Sequence, residues 1–456
     1  MFKKILEKIS KTPAAVLDGG IEASRDIKNQ LVNNKPFKLA EEYWKKLGPG
    51  LTTGAADDDP SGIAAYSQAG ARYGLQLLWL ALFTFPLMAV VQEMCARIGL
   101  VTGEGLAGNI KRHYAVWVLY LSTFLLFVAN TFNLGANLGA MAKAVQLLDP
   151  RINFIFLIIV FTLASLFLQI FTTYARYAKY LKYLALVLFF YVFSALVLDL
   201  NWRDIFINTI YPSIAFSKDQ LFLICAILGT TISPYLFFWQ TSQEVEEEIL
   251  RGKMTIEERR VVTSRKEIRD MRTDVWSGMF ISNLVMFFII VVCAATLFAN
   301  GITNINTAEE AALALRPLAG EFAFLLFAIG IIGTGMLSIP ILAGSASYAL
   351  SESFGWDRGL YLKLRQAHAF YGVIIASMLI GLAINFLNLD PIKMLIYSAV
   401  ANGLIAPPVL FLIVRISGDK KIMGEHANKP FTSAVGWMII GLMTVSGIAA
   451  IVSFFL

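Results

Sequence analysis

The sequence predicts an all-α membrane protein with about eleven bilayer-crossing helices. Three observations lead there. Of 456 residues, 57% are hydrophobic and only 15% charged, far less charge than a water-exposed domain of this length carries. Apolar runs long enough to cross hydrocarbon recur along the whole chain. Basic residues gather in alternate connections between those runs.

Taken in order, the start MFKKILEKISKTPAAVLDGGIEASRDIKNQ is basic and partly amphipathic, with no apolar signal core. Residues 1–46 therefore read as a cytosolic tail lying on the lipid surface. The spans follow at 47–69, 74–101, 115–147, 152–173, 181–200, 219–243, 275–300, 319–350, 367–388, 392–415 and 432–456. With the N-terminus in the cytoplasm, the cytoplasmic connections collect Lys111 and Arg112; Arg176, Lys179 and Lys182; 251–272; Arg358, Lys363 and Arg365; and Arg415, Lys420 and Lys421. The other connections hold chiefly Arg72, Arg151, Arg203, Arg316 and Lys393. This asymmetry satisfies the positive-inside rule and places the C-terminus outside. It also explains the net charge of +6 without a nucleic-acid partner.

The first span, with GPGLTTGAADDDPSG, holds four glycines and two prolines; the sixth, with LGTTISPYLFFWQTSQ, sets Pro234 among hydroxyl residues. Both should unwind near mid-membrane, which is tolerated only where the backbone lines a cavity or water. Spans one and six open two five-helix halves, about 47–200 and 219–415, and 432–456 is left over. Paired interruptions at matching positions point to a transporter of inverted repeats with its substrate at the breaks. Carboxylates at one break then make the substrate a cation.

Asp57, Asp58 and Asp59 carry that inference, because an acid in a span is costly without water, a cation or a partner. The competing reading makes them an extracellular loop capping a helix that starts at Pro60. Roughly 15 Å of helix from Lys46 to Asp57 ends near the bilayer centre and favours the intramembrane reading.

In span two, Glu93 stands four residues before Arg97, the spacing of a pair on one helical face, against a cavity-lining acid. Asn130, Asn133 and Asn137 form a polar stripe on span three, either interhelical glue or the wall of an aqueous path. Thr231 and Gln240 either line the path or bond a neighbour. Glu244 and Glu246 to Glu248 are expected on a solvated face rather than in an acidic vestibule. RGKMTIEERRVVTSRKEIRDMRTD is expected to be a solvated cytosolic loop with helical charge pairs. Cys95, Cys225 and Cys293 read as small buried hydrophobes. No nucleotide-binding loop, catalytic triad or metal-hydrolase motif occurs, so the chain reads as a carrier and not an enzyme.

The stretch GPGLTTGAADDDPSGIAAYSQAGARYGLQLLW resembles the first-helix pattern of the Nramp family of divalent metal transporters, and ARIGLVTGEGLA its continuation. GTTISPYLFFWQTS is similar to that family's sixth helix, and GDKKIMGEHAN to its helix-ten tail. The resemblance spans nearly the whole chain. It implies the LeuT-like fold, metal as substrate and no cofactor.

Carried over residue by residue, the family's metal-binding Asp matches Asp59. Its Asn falls on Gly62, its methionine on Ser233, and its unwound carbonyl on Thr230. The histidine after the helix-six proline becomes Tyr235. The helix-ten glutamine becomes Ala399, with Asn402 one turn later. Two acids of the family's third helix become Asn133 and Ala136. The expected metal site is thus Asp59, Thr230, Ser233 and Gly62, with Asp57, Asp58, Tyr235, Thr231, Asn133 and Asn402 around it or along the access path.

Loss of the soft thioether favours hard ions such as magnesium, with manganese accepted. This pattern is similar to the Nramp-related magnesium transporters. His113, His368 and His426 all fall in expected cytosolic loops, so proton coupling has lost its parts, apart from a relay through Asp57 or Asp58. The alternatives are a proton-coupled manganese or iron importer of the Nramp type, and an amino-acid or organic-cation carrier on the same fold. A monomer in the bilayer is the working expectation.

Overall fold

A backbone in hydrocarbon satisfies its N–H and C=O groups within its own helix, so long apolar runs fold as helices. The computed structural model describes residues 48–172, 188–260, 263–387 and 389–455. The first span is two helices, α1 (Pro49–Asp57) and α2 (Pro60–Tyr73). Next come α3 (Trp79–Thr102), the short α4 (Leu106–His113), α5 (Val116–Leu148), α6 (Phe154–Phe171), α7 (Phe189–Val197) and α8 (Trp202–Ile210). The sixth span is again a pair, α9 (Lys218–Thr231) and α10 (Pro234–Leu250). A short α11 (Ile256–Arg260) precedes α12 (Arg265–Thr296), α13 (Ala323–Phe354), α14 (His368–Ile384), α15 (Pro391–Gly418) and α16 (Pro430–Phe455).

Nine of these helices or joined helix pairs, among the described residues, have the length and composition to cross a membrane. The aspartate-bearing α1–α2 pair is expected as a tenth span. An eleventh is expected at 181–200, of which 181–187 lie outside the described residues, as do 1–46, Arg176, Lys179 and Lys182. Counting these two expected spans, five precede α9, which is the arrangement of two inverted halves.

Both breaks fall where the sequence expects them, and proline is the cause. A residue before proline is pushed out of the helical region, and Asp59 (φ −68°, ψ 171°) and Ser233 (φ −84°, ψ 133°) are extended. Pro60 and Pro234 then open the second helices, where their missing N–H costs nothing.

Glycine sets how closely the broken helices pack. A Cβ on Gly54 would lie 2.3 Å from the Gly278 carbonyl oxygen, and one on Gly278 2.2 Å from that of Gly50, so α1 and α12 meet backbone to backbone. Asp274 of α12 caps α1 there, accepting from Gly50 N (2.7 Å) and Leu51 N (3.1 Å). A Cβ on Gly229 would meet the Ala399 carbonyl oxygen at 2.1 Å, so α9 and α15 are as close.

Two expectations about the basic side are corrected. Glu244, Glu246 and Glu248 are buried, not solvated. Glu246 accepts from the Tyr348 hydroxyl of α13 and from Leu360 N, while Glu248 pairs with Lys253 and, at 3.6 Å, with Arg251. The charged block after α10 is also not simply a loop: α12 begins within it, behind a Ser264–Glu267 capping box. Arg259 is buried and donates to the carbonyls of Gly103, Lys253 and Met254. Guanidinium and carbonyl charges complement each other where α3 ends, at Gly103 in the left-handed conformation (φ 65°). Glu93 does pair with Arg97 (3.6 Å), and also with Arg272 (2.8 Å). The three cysteines are buried and free.

Candidate functional site

Asp59 sits in the break between α1 and α2 with no solvent exposure. It is the N-cap of α2: Oδ1 accepts from Ser61 N (2.9 Å), Gly62 N (3.0 Å) and the Ser61 hydroxyl. Oδ2 accepts from the amides of Asn133 and Asn137 on α5, both at 3.1 Å. The capping and intramembrane readings therefore hold together, since Asp before Pro caps a helix whose start is buried inside the bundle.

The remaining predicted residues divide. Thr230 places its hydroxyl 3.4 Å from that of Ser61. Gly62 faces the same space: a Cβ there would lie 3.0 Å from the Asp57 carbonyl oxygen and 3.3 Å from Thr230 Oγ1. Ser233 turns its hydroxyl back to the carbonyls of Gly229 (2.6 Å) and Thr230 (2.8 Å), so it engages the Thr230 carbonyl and keeps its own lone pairs free. Tyr235 donates to the Ala56 carbonyl at 2.9 Å, satisfying the frayed end of α1.

Asp57 accepts from Ser282 of α12 at 2.7 Å; its other oxygen, Asp58 Oδ1 and the Tyr66 hydroxyl are buried without a hydrogen-bond partner among the described residues. Asn402 is buried with neither amide atom partnered among them. Thr231 bonds back to the Ile227 carbonyl (2.9 Å), within its own helix.

The asparagine stripe serves both suggested purposes. Asn130 bonds the Leu342 carbonyl and Ser345 of α13 as interhelical glue, whereas Asn133 and Asn137 face Asp59. Ser398 of α15 donates to Asn133 Oδ1, and Asn137 donates to Ser338 of α13, each at 3.0 Å. Ser61, Ser338 and Ser398 were not legible as site residues, and Asn137 entered only as part of the polar stripe. The signal for Asn137 is that it lies four residues after Asn133, on the same face.

The carboxylates at the break are all buried. Toward the basic side, α1 is held by Asp274 and by Thr53, whose hydroxyl donates to Gln240 (2.5 Å). Toward the other side, the segment after α12 closes over α2, with Ile305 N bonding Gln68 at 2.9 Å. A cavity of about 20 Å³ remains between them, lined by Pro60, Ile63, Ser67 and Ile305, room for about one water. Among the described residues no three His, Cys, Asp or Glu side chains converge as a metal cage. The arrangement instead offers one capped carboxylate amid hydroxyls and amides, suited to a cation that arrives and leaves.

A family model described as Natural resistance-associated macrophage protein-like matches residues 50–453. The chain belongs to the Nramp family. Nramp relatives include a protein named divalent metal cation transporter MntH from Ralstonia nicotianae, 29% identical over 423 residues, covering 89% of this chain and 91% of the relative. A protein of the same name from Caldanaerobacter subterraneus subsp. tengcongensis is 24% identical, with coverage of 92% and 96%. The Eremococcus coleocola manganese transporter superposes with a TM-score of 0.68 at 17% identity, covering 90% of this chain and 88% of that one. Mhp1, a nucleobase-cation-symport-1 family transporter, and MhsT share the architecture more distantly, at TM-scores of 0.51 and 0.53. The fold is thus the LeuT-like one, with two inverted five-helix repeats plus an eleventh helix, and this Nramp chain belongs among transporters, not enzymes.

Proposed function

We propose that this chain moves divalent metal cations across the membrane by alternating access, with Asp59 as the charged ligand and the metal as substrate. One observation carries the reading: a fully buried carboxylate at the break of α1 and α2, the place where such repeats bind their cargo. Thr230, Ser233 and the backbone beside Gly62 complete the ligands. Asp57 and Asp58 supply negative potential at the same break, and Tyr235, Asn133 and Asn402 border the path.

Magnesium is the favoured ion and manganese is accepted. Hydroxyl, carbonyl and carboxylate oxygen are hard donors, and Gly62 leaves room for water that magnesium gives up reluctantly. Transport runs without proton coupling, because Tyr235, Asn133 and Ala136 stand where the family resemblance puts a histidine and two acids. The basic side faces the cytoplasm, with the N-terminal tail there and the C-terminus outside. The repeats are taken as 47–200 and 219–415, with 432–456 the added helix.

A second reading is a proton-coupled manganese or iron importer; its choice of metal is supported by the names of the relatives, which are divalent metal cation and manganese transporters. One experiment separates the two. Uptake of magnesium, manganese, calcium and iron into proteoliposomes is followed together with internal pH. Magnesium uptake without acidification supports the first reading; manganese uptake with acidification and no magnesium uptake supports the second.

A further inference from the structure

The hydrogen bonds around Asp59 pose a problem for any cation that binds there. An ionised carboxylate offers about four lone-pair sites, and Asp59 accepts from Ser61 N, Gly62 N, the Ser61 hydroxyl, Asn133 and Asn137. The two backbone donors belong to the cap of α2 and stay with it. The side-chain donors are the ones a metal ion displaces. On Oδ2 these are both amides, so the arrangement with Asn133 and Asn137 on that oxygen and the arrangement with a cation on it exclude one another.

The amides are also placed to let go. The amide of Asn137 donates with one hydrogen to Asp59 and with the other to Ser338 of α13, and Asn133 is held through its oxygen by Ser398 of α15. When a cation takes Oδ2, each side chain keeps one anchor and stays beside the site. When the cation leaves, the carboxylate cannot stand bare in the bilayer interior, where an uncompensated charge is very unfavourable. Neutral N–H donors fixed on a neighbouring helix can meet that requirement without a second ion.

We propose that Asn133 and Asn137 act as ion surrogates, closing on Asp59 whenever the metal has left and so carrying the unloaded transporter through its return. The inference rests on the reading of Asp59 as the metal ligand. The two amides are positioning residues: they compete with the ion for one oxygen and hold α2 to α5 in its place. Exchange of metal for metal never uses the unloaded return, whereas net uptake uses it in every cycle.

The test compares those two modes in proteoliposomes containing the full chain, with manganese as the probe. Asn137→Ala, Asn137→Leu and the double substitution of Asn133 and Asn137 by Ala are each measured for net uptake, manganese exchange and manganese affinity. We expect the ratio of net uptake to exchange to fall about tenfold or more, as for loss of a hydrogen bond to a charged group. Manganese should bind several-fold tighter, since its competitor is gone. Parallel loss of exchange and net uptake in both the Ala and Leu variants overturns the proposal, as does unchanged net uptake or weaker affinity. Wild-type protein that takes up no metal, or Asp59→Ala that still does, defeats the functional reading instead.

Discussion

Replacing Asp59 by Asn separates the metal-binding function of this side chain from its structural one. The cap should survive, because Asn and Asp are equally good N-caps and Oδ1 can still accept from Ser61 N and Gly62 N. The other end changes, since an NH2 group then faces the Asn133 and Asn137 amides at 3.1 Å. Two hydrogen bonds to a charged acceptor are lost, roughly 1.5–3 kcal/mol each. Removing a buried charge returns a desolvation cost of several kcal/mol. The two effects oppose and are of similar size, so unfolding without metal should shift little. Metal-linked stability behaves differently: at about a hundred times Kd a ligand adds about 2.7 kcal/mol. The assay is a thermal unfolding series of purified protein with increasing manganese chloride. Wild type should rise by several degrees, and Asp59→Asn should not respond. A variant that keeps the manganese-dependent rise would place the cation elsewhere and refute the argument.

Other substitutions probe the surroundings. Ser233→Met together with Gly62→Asn should raise the uptake ratio of manganese to magnesium by supplying a thioether and an amide; an unchanged ratio would remove ligand softness as the selector. Gly62→Asn alone should lower stability by about 1–3 kcal/mol, the range for overpacking, because its Cβ would lie 3.0 Å from the Asp57 carbonyl oxygen, and denaturation in detergent measures it. Gly54→Ala would set a Cβ 2.3 Å from the Gly278 oxygen, so α1 should swing away from α12. A cysteine introduced at Thr53 should then react faster with a thiol reagent applied from the basic side. With voltage clamped by an ionophore, manganese influx should leave an internal pH dye unchanged; acidification that disappears in Asp57→Asn or Asp58→Asn would identify a proton carrier.

Local chemistry in the sequence determined the spans, the two breaks and the placement of a carboxylate within one of them. Hydrophobicity marks a span within about twenty residues, and proline dictates the conformation of its immediate neighbour, so neither requires knowledge of distant partners. Glu93 as a partner of Arg97 was legible for the same reason, and the cap at Asp59 entered only as the competing reading. The donors on Asp59 were legible only in part: the family resemblance set Asn133 near the site, but Asn133 and Asn137 are 74 and 78 residues away in sequence, and only the packing of α5 against α2 brings their amides onto the carboxylate. Likewise, a charged run reads as solvated until another element covers it: Glu246 is buried because Tyr348 and Leu360, more than 100 residues on, close over it. The burial of a polar group is thus decided by what packs on it, which only the tertiary structure could supply.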